Sequence, residues 1–148
     1  MKLTRRDLSL LLPVLAAAPV AAQDKKAPPA VQKMTASKLF QYEDLPVKQN
    51  GQNKGRAVFD GETHLDFPVE LHITELGPGQ APHPPHQHSH EEVVLMRRGL
   101  LDVTILGKTT RLTAGSVVYV GSGELHGWKN PGSERSEYFV IALGKGRG

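Results

Sequence analysis

From Phe67 onward the chain alternates apolar and polar positions with a period of two. Val69, Leu71 and Ile73 alternate with Glu70, His72 and Thr74. This pattern predicts a half-buried strand with one of the two sets facing solvent. Gly77-Pro78-Gly79 ends it. Glu92 to Met96 reads as a strand that is apolar on both faces. If Glu92 points inward, so do Val94 and Met96, while Val93 and Leu95 point out. That outward face needs a cover, from a second sheet or from a partner subunit. Leu100 to Leu106 is a further strand, Gly107-Lys108 a hairpin turn and Thr109 to Leu112 its return. Val117 to Val120 and Tyr138 to Leu143 follow, with a turn at Asn130-Pro131-Gly132. Before Phe67 the pattern is weaker. Leu39, Phe40 and Tyr42 suit a first edge strand, 50–55 a loop and Arg56 to Asp60 a short strand, with Gly61-Glu62 turning the chain. No helical period of useful length follows the leader. The sum is nine or ten short strands joined by turns, an all-β sandwich or barrel.

The 148 residues suffice for one domain. Residues 1–22 read as an export signal: a short basic segment, then an apolar run from Leu8 to about Ala22 ending in small residues. The run is short for a membrane span and suits a signal's apolar region. Thr4-Arg5-Arg6-Asp7-Leu8 resembles a twin-arginine signal, the address of proteins exported already folded. The expected location is the periplasm or the exterior, with no stable membrane span after cleavage. Residues 23–37 are polar with paired prolines and read as a flexible linker. The ordered domain is expected over 38–148.

Charge changes little in this picture. Lys2, Arg5 and Arg6 against Asp7 place a net +2 of the chain's +3 in the leader, which leaves about +1. No block of Lys and Arg with interleaved aromatics occurs, so nothing supports a nucleic-acid partner. There is no cysteine, hence no disulfide, thiolate ligand or cysteine nucleophile.

The candidate chemistry lies between Gly79 and Gly99. Four of the seven histidines, His83, His86, His88 and His90, precede Glu91 and Glu92. Neutral imidazole is a good transition-metal ligand and a carboxylate adds a hard oxygen. In extended chain His86 and His88 present their rings to one side. Glu92 joins them if the strand register holds, and so would His90 if Gln87 to Ser89 did not turn. A ligand from elsewhere must complete the shell, and His126 is the candidate, following a valine-rich strand and a Gly-rich turn. His126 and Trp128 share a side, so Trp128 lines the pocket or belongs to the core, the second being the favoured reading. His83 and His90 read as loop or pocket-mouth residues.

These stretches resemble the cupin family in two motifs. Motif 1, residues 79–99, runs Gly79, His86-Gln87-His88, Glu92, Gly99. Motif 2, residues 115–130, runs Gly115, Gly121-Ser122-Gly123, His126, Asn130. There are two departures. Six residues, not five, separate Gly79 from His86, and Gly121 stands where the motif has proline. The resemblance covers roughly residues 67–143. It implies a single small jelly-roll β-barrel with one divalent transition metal inside, held by His86, His88, Glu92 and His126. The ligand types leave iron, manganese, nickel, zinc and cobalt open.

Family ligand sets of this kind serve dioxygenases, isomerases, decarboxylases and non-catalytic binding proteins, so fold and ligands do not name the reaction. The leading reading is a metal-dependent enzyme, an oxygenase or isomerase-like cupin, acting on a small organic molecule. The alternative is a cupin that binds or senses metal or a small ligand without turnover. No catalytic acid or base is assigned: His64, His72, Tyr119 and Glu124 are candidates between which spacing does not choose. The two-faced strand at Val93 and Leu95, together with the family's habit of pairing through sheets, predicts a homodimer.

Overall fold

The computed structural model describes residues 32–145. The leader read at 1–22, and the part of the linker before Gln32, lie outside them. Ten strands and one 3₁₀ turn make up the described residues. They are β1 (Gln32–Lys33), β2 (Val47–Asn50), β3 (Asn53–Glu62), β4 (Pro68–Leu76), β5 (Glu91–Arg98), β6 (Leu100–Ile105), β7 (Lys108–Thr113), β8 (Val117–Val120), β9 (His126–Lys129) and β10 (Ser136–Leu143). One sheet runs β1-β3-β4-β10-β5-β8, with β2 paired to β3, and a three-stranded sheet runs β7-β6-β9. All pairings but β1–β3 are antiparallel. The two sheets enclose a core of Leu76, Val94, Met96, Leu101, Val103, Val120, Trp128, Tyr138 and Val140. This is the small jelly-roll barrel that the sequence leads one to expect. No described helix is long and apolar enough to cross a membrane.

The alternation of β5 sorts as its parity requires: Glu92, Val94 and Met96 are buried, and Val93 and Leu95 are half-buried on the other face. Strand β4 carries the opposite arrangement from an ordinary amphipathic strand. Tyr138 and Val140 of β10 belong to the core, and they pair with Thr74 and His72 of β4. The polar set Glu70, His72 and Thr74 therefore shares the inner face, and Leu71 and Ile73 lie on the outer one.

Three local expectations are corrected. The loop read at 50–55 shrinks to a tight turn, because β3 begins at Asn53 and pairs with β2. Leu39 to Tyr42 forms no strand; Tyr42–Asp44 is a 3₁₀ turn. The outer face explains why. Tyr42 lies between the guanidinium groups of Arg56 and Arg97, 4.3 and 4.8 Å from its ring centre. Stacking on these cations holds the ring down without a ladder. Beneath it Glu75 and Glu137 are buried but paired, Glu75 with Arg56 at 2.6 Å and Glu137 with Arg97 and Arg98 at 2.7 and 2.8 Å. Burial pushes the Glu75 carboxyl up, but the Arg56 guanidinium, with Lys54 and Arg98 nearby, outweighs it and holds it low. Gly61-Glu62 does not turn the chain but continues β3. There Gly61 faces the parallel strand β1, and a Cβ would meet the Gln32 carbonyl oxygen at 1.9 Å. Only glycine lets the two backbones approach this closely. The turn comes later, where the Thr63 amide bonds the Phe67 carbonyl.

Candidate metal centre

The two histidine stretches are stitched together by backbone. The amides of His86 and His126 each donate to the other's carbonyl at 2.9 Å. Gly123 donates to the His88 carbonyl at 2.8 Å, the Ser122 hydroxyl to the Ser89 carbonyl at 2.8 Å, and Asn130 to the Gln80 carbonyl at 2.9 Å. The proline-rich approach, with φ fixed at Pro82, Pro84 and Pro85, thus leads into a segment pinned to β9. Gly99, which closes the first motif, has φ of 79°, and a Cβ there would lie 2.7 Å from the Arg135 carbonyl oxygen. A side chain at that point would part β5 from the start of β10.

Gly121 stands where the motif has proline, and the structure gives it another function. Its amide donates to the Glu124 carboxylate at 3.1 Å, a bond that proline could not make. The carbonyl of Glu124 in turn faces His126 Nδ1 at 2.8 Å.

The structure brings His86, His88, Glu92 and His126 together. The ring centres of His86 and His88 each lie 4.7 Å from that of His126. Glu92 Oε1 is 3.4 Å from His88 Nε2, and Glu92 Oε2 is 3.6 Å from His126 Nε2. Donors bound about 2.0–2.2 Å from one ion sit roughly 3–4 Å apart, so these spacings suit a shared ion. Four buried atoms here have no hydrogen-bond partner: His86 Nδ1, His88 Nε2, Glu92 Oε2 and His126 Nε2. Buried polar atoms without partners are costly, and Glu92 reaches two of the three histidines, His88 and His126. The opposite nitrogens of two rings are occupied: Nδ1 of His88 faces the His90 carbonyl and Nδ1 of His126 the Glu124 carbonyl, both at 2.8 Å. An Nδ1–H donated to a carbonyl leaves the Nε2 lone pair free, the arrangement that orients a metal-binding imidazole. The residues therefore fit a metal ion, and His86, His88 and His126 form one group able to hold it. Burial, and then the neighbouring imidazoles of His83, His126 and His88, push His86 down to about 4. Its ring is neutral, hence a competent donor, well into the acid range.

His90 is more central than its reading as a loop residue. It is buried, stacks on His88 with ring centres 3.5 Å apart, and places Nε2 3.4 Å from Glu92 Oε1. His88, His90 and Glu92 form a second group able to hold an ion. The alternation from His86 to His90 was the signal for it. His83 stays at the rim, its ring edge-on to His86 at 4.2 Å. Trp128 is core and stacks on His126 at 5.1 Å.

The acid/base candidates separate. His64 is exposed in the β3–β4 turn. Tyr119 is exposed on the outer face, where hydrogen bonding to Glu91 pushes its phenol up. Glu124 is engaged in the turn described above. His72 alone of the four lies on the inner face, its Nδ1 3.1 Å from Glu70 Oε1.

The barrel thus carries side-chain groups that could hold a metal ion. Residues 72–142 match the family model Cupin_2, described as a cupin domain, and the match and the fold together support the cupin superfamily. No curated protein matches the chain. Among solved structures the chain is similar to an RmlC-like cupin from Shewanella frigidimarina, 21% identical over 76% of this chain and 96% of that one, with a TM-score of 0.61. It is similar also to the polyketide cyclase RemF from Streptomyces resistomycificus, 18% identical over 76% and 83%, TM-score 0.61. A third is a predicted oxalate decarboxylase from Thermotoga maritima, 17% identical over 73% and 100%, TM-score 0.61. At these identities the likeness is one of fold.

Proposed function

We propose that this chain is an exported cupin enzyme that holds one divalent transition metal on His86, His88, Glu92 and His126 and acts on a small organic molecule. The observation that carries this reading is a set of four buried, unpartnered donor atoms, with His86, His88 and His126 grouped closely enough to hold one ion and Glu92 3.4 and 3.6 Å from His88 and His126. Three imidazoles and one carboxylate leave positions open on a five- or six-coordinate ion, which would supply Lewis-acid or redox chemistry there. The chain's own part is to fix the donors from β5, β9 and the pinned loop, and to keep an inner face that is partly polar. The leader, read as twin-arginine-like, supports folding and metal choice before export to the periplasm or exterior. The test is metal analysis by mass spectrometry of the protein made without a His-tag. About one equivalent per chain is expected. Iron, manganese or nickel directs screening to oxygenase or isomerase chemistry. No metal after reconstitution overturns the reading and moves the weight to a binding protein.

We infer also a homodimer formed through the outer sheet face. Val93 pairs with Tyr119 and Leu95 with Val117 across β5 and β8, so the four side chains form one patch. Val117 is 58% and Tyr119 55% exposed. Contiguous apolar surface of this kind marks an interface. Light scattering at micromolar concentration is expected to give twice the chain mass, and a monomer would sink the inference.

A further inference from the structure

Strand β4 presents acid/base groups to the barrel interior at the level of the metal-ligand cluster. Ala142 of β10 pairs with Glu70 on one side and with Glu92 on the other. Val140 pairs in the same way with His72 and Val94. Directly paired residues share a face. Glu70 and Glu92 therefore look into one space, two ladder spacings apart, which is roughly 10 Å. The residue between them is Ala142, which adds only a methyl to the inner face. His72 and Glu70 are each about one-third exposed, at 33% and 33%, so this part of the interior is open to a solute. His72, and across the opening His90, help hold the Glu70 carboxyl low against its own desolvation, with the His72 hydrogen bond the largest effect.

We propose that His72 is a proton-transferring residue for the reaction at the cluster, and that Glu70 is its positioning residue. This rests on the metal-enzyme reading above. In this proposal Glu70 Oε1, 3.1 Å from His72 Nδ1, accepts a hydrogen bond from Nδ1–H, which leaves the Nε2 lone pair free for a substrate proton. A carbonyl compound of a few carbons, such as a 2-oxo acid, spans the gap with its oxygens at the cluster and the adjacent C–H at His72. Nε2 takes the proton from that carbon, the C–H electron pair becomes the C=C bond of an enolate, and the π pair of the carbonyl moves onto its oxygen. Nε2 then returns the proton to the same or a neighbouring carbon. No oxidant is consumed, and the Glu70 carboxylate stabilises the imidazolium in between. A carboxylate that holds a histidine in the right tautomer is a recurring device of proton-transfer sites.

The alternative is that Glu70–His72 is a structural pair at the barrel mouth. Proton exchange distinguishes the two. The full chain, loaded with metal, is incubated with pyruvate and with 2-oxobutanoate in D₂O, and loss of the C3 proton signal is followed by NMR. Exchange above buffer is expected, and His72→Gln should slow it by about 100-fold or more, the usual contribution of a general base. Metal content is expected to stay at the wild-type level. Glu70→Gln is read separately from turnover, by ¹⁵N NMR of His72. The amide of glutamine can donate where the carboxylate could only accept, so the tautomer should shift from Nδ1–H towards Nε2–H and exchange should slow with it. No exchange by wild-type holoprotein, unchanged exchange in His72→Gln, or an unchanged tautomer in Glu70→Gln each overturns the proposal. A wild-type chain that takes up no metal is a different result, because it removes the metal reading while the tautomer measurement still reports on the pair.

Discussion

Replacing His88 with alanine is expected to abolish metal uptake and, with it, the thermal stabilisation that an ion gives the wild-type protein. An ion at about 100 times its Kd adds about 2.7 kcal/mol to the folded state. For a domain of this size that is a rise in Tm of roughly 10 °C. His88 is the choice because both of its nitrogens are committed. Nδ1 is held by the His90 carbonyl at 2.8 Å, and Nε2 is one of the four buried atoms without a partner. Alanine removes a donor that is already oriented. His90 is stacked flat on the ring that is lost, with 9° between the planes. His83→Ala is the control, since His83 touches the cluster only through the edge of His86. That variant should keep both metal and thermal shift. Calorimetry with and without added ion, alongside metal analysis, reads both. A His88→Ala protein with full metal content and an undiminished shift would show the ligand assignment to be wrong. His90→Ala adds a finer division: loss of metal there would move the centre towards the His88, His90 and Glu92 group.

The strands were legible where one set of side chains is apolar and buried. β5 is the clearest case, because Val94 and Met96 fix the inward parity and Glu92 follows it. The proximity of His86, His88 and His126, and of Glu92 to His88, was legible in part, since His86, His88 and Glu92 sit at even spacing and His126 follows a turn. β4 was harder. Its alternation marks a strand, but the polar set Glu70, His72 and Thr74 faces inward, beside Ala142, Val140 and Tyr138 of β10. Hydrophobicity alone cannot choose the face when both sides are covered. Tyr42 escaped for another reason. Its place is set by Arg56 and Arg97, which are distant in sequence, and no local period records a cation stacked on a ring. Glu70 carried a weak signal, its i,i+2 spacing from His72. That spacing acquires meaning only from the register of β10, which lays Glu70 and Glu92 on one line.

Asn130→Ala is expected to cost about 2–4 kcal/mol of folding stability, because several buried backbone groups lose their partner at once and each such loss is worth about 1–3 kcal/mol before relaxation. Asn130 is fully buried. Its Nδ2 lies 3.2, 3.0 and 2.8 Å from the carbonyls of Leu76, Gly77 and Glu134. Its Oδ1 accepts from the Gly132 amide at 2.9 Å. One side chain thus ties the end of β4 to the turn between β9 and β10. Its backbone amide also holds Gln80, at the start of the loop that leads to the histidines. A water entering the vacated space would restore part of the loss, which sets the lower end of the range. Asn130→Asp separates a hydrogen-bonding role from mere filling of space. Aspartate has the same shape but no donor, and it would aim a carboxylate at three carbonyl oxygens. It is expected to be at least as destabilising as alanine. Urea unfolding of the three proteins checks this. If the Asp and wild-type midpoints coincide, the amide is not the clamp. Metal affinity should fall less in Asn130→Ala than in His88→Ala, since Asn130 holds the loop and none of the four unpartnered donor atoms belongs to it.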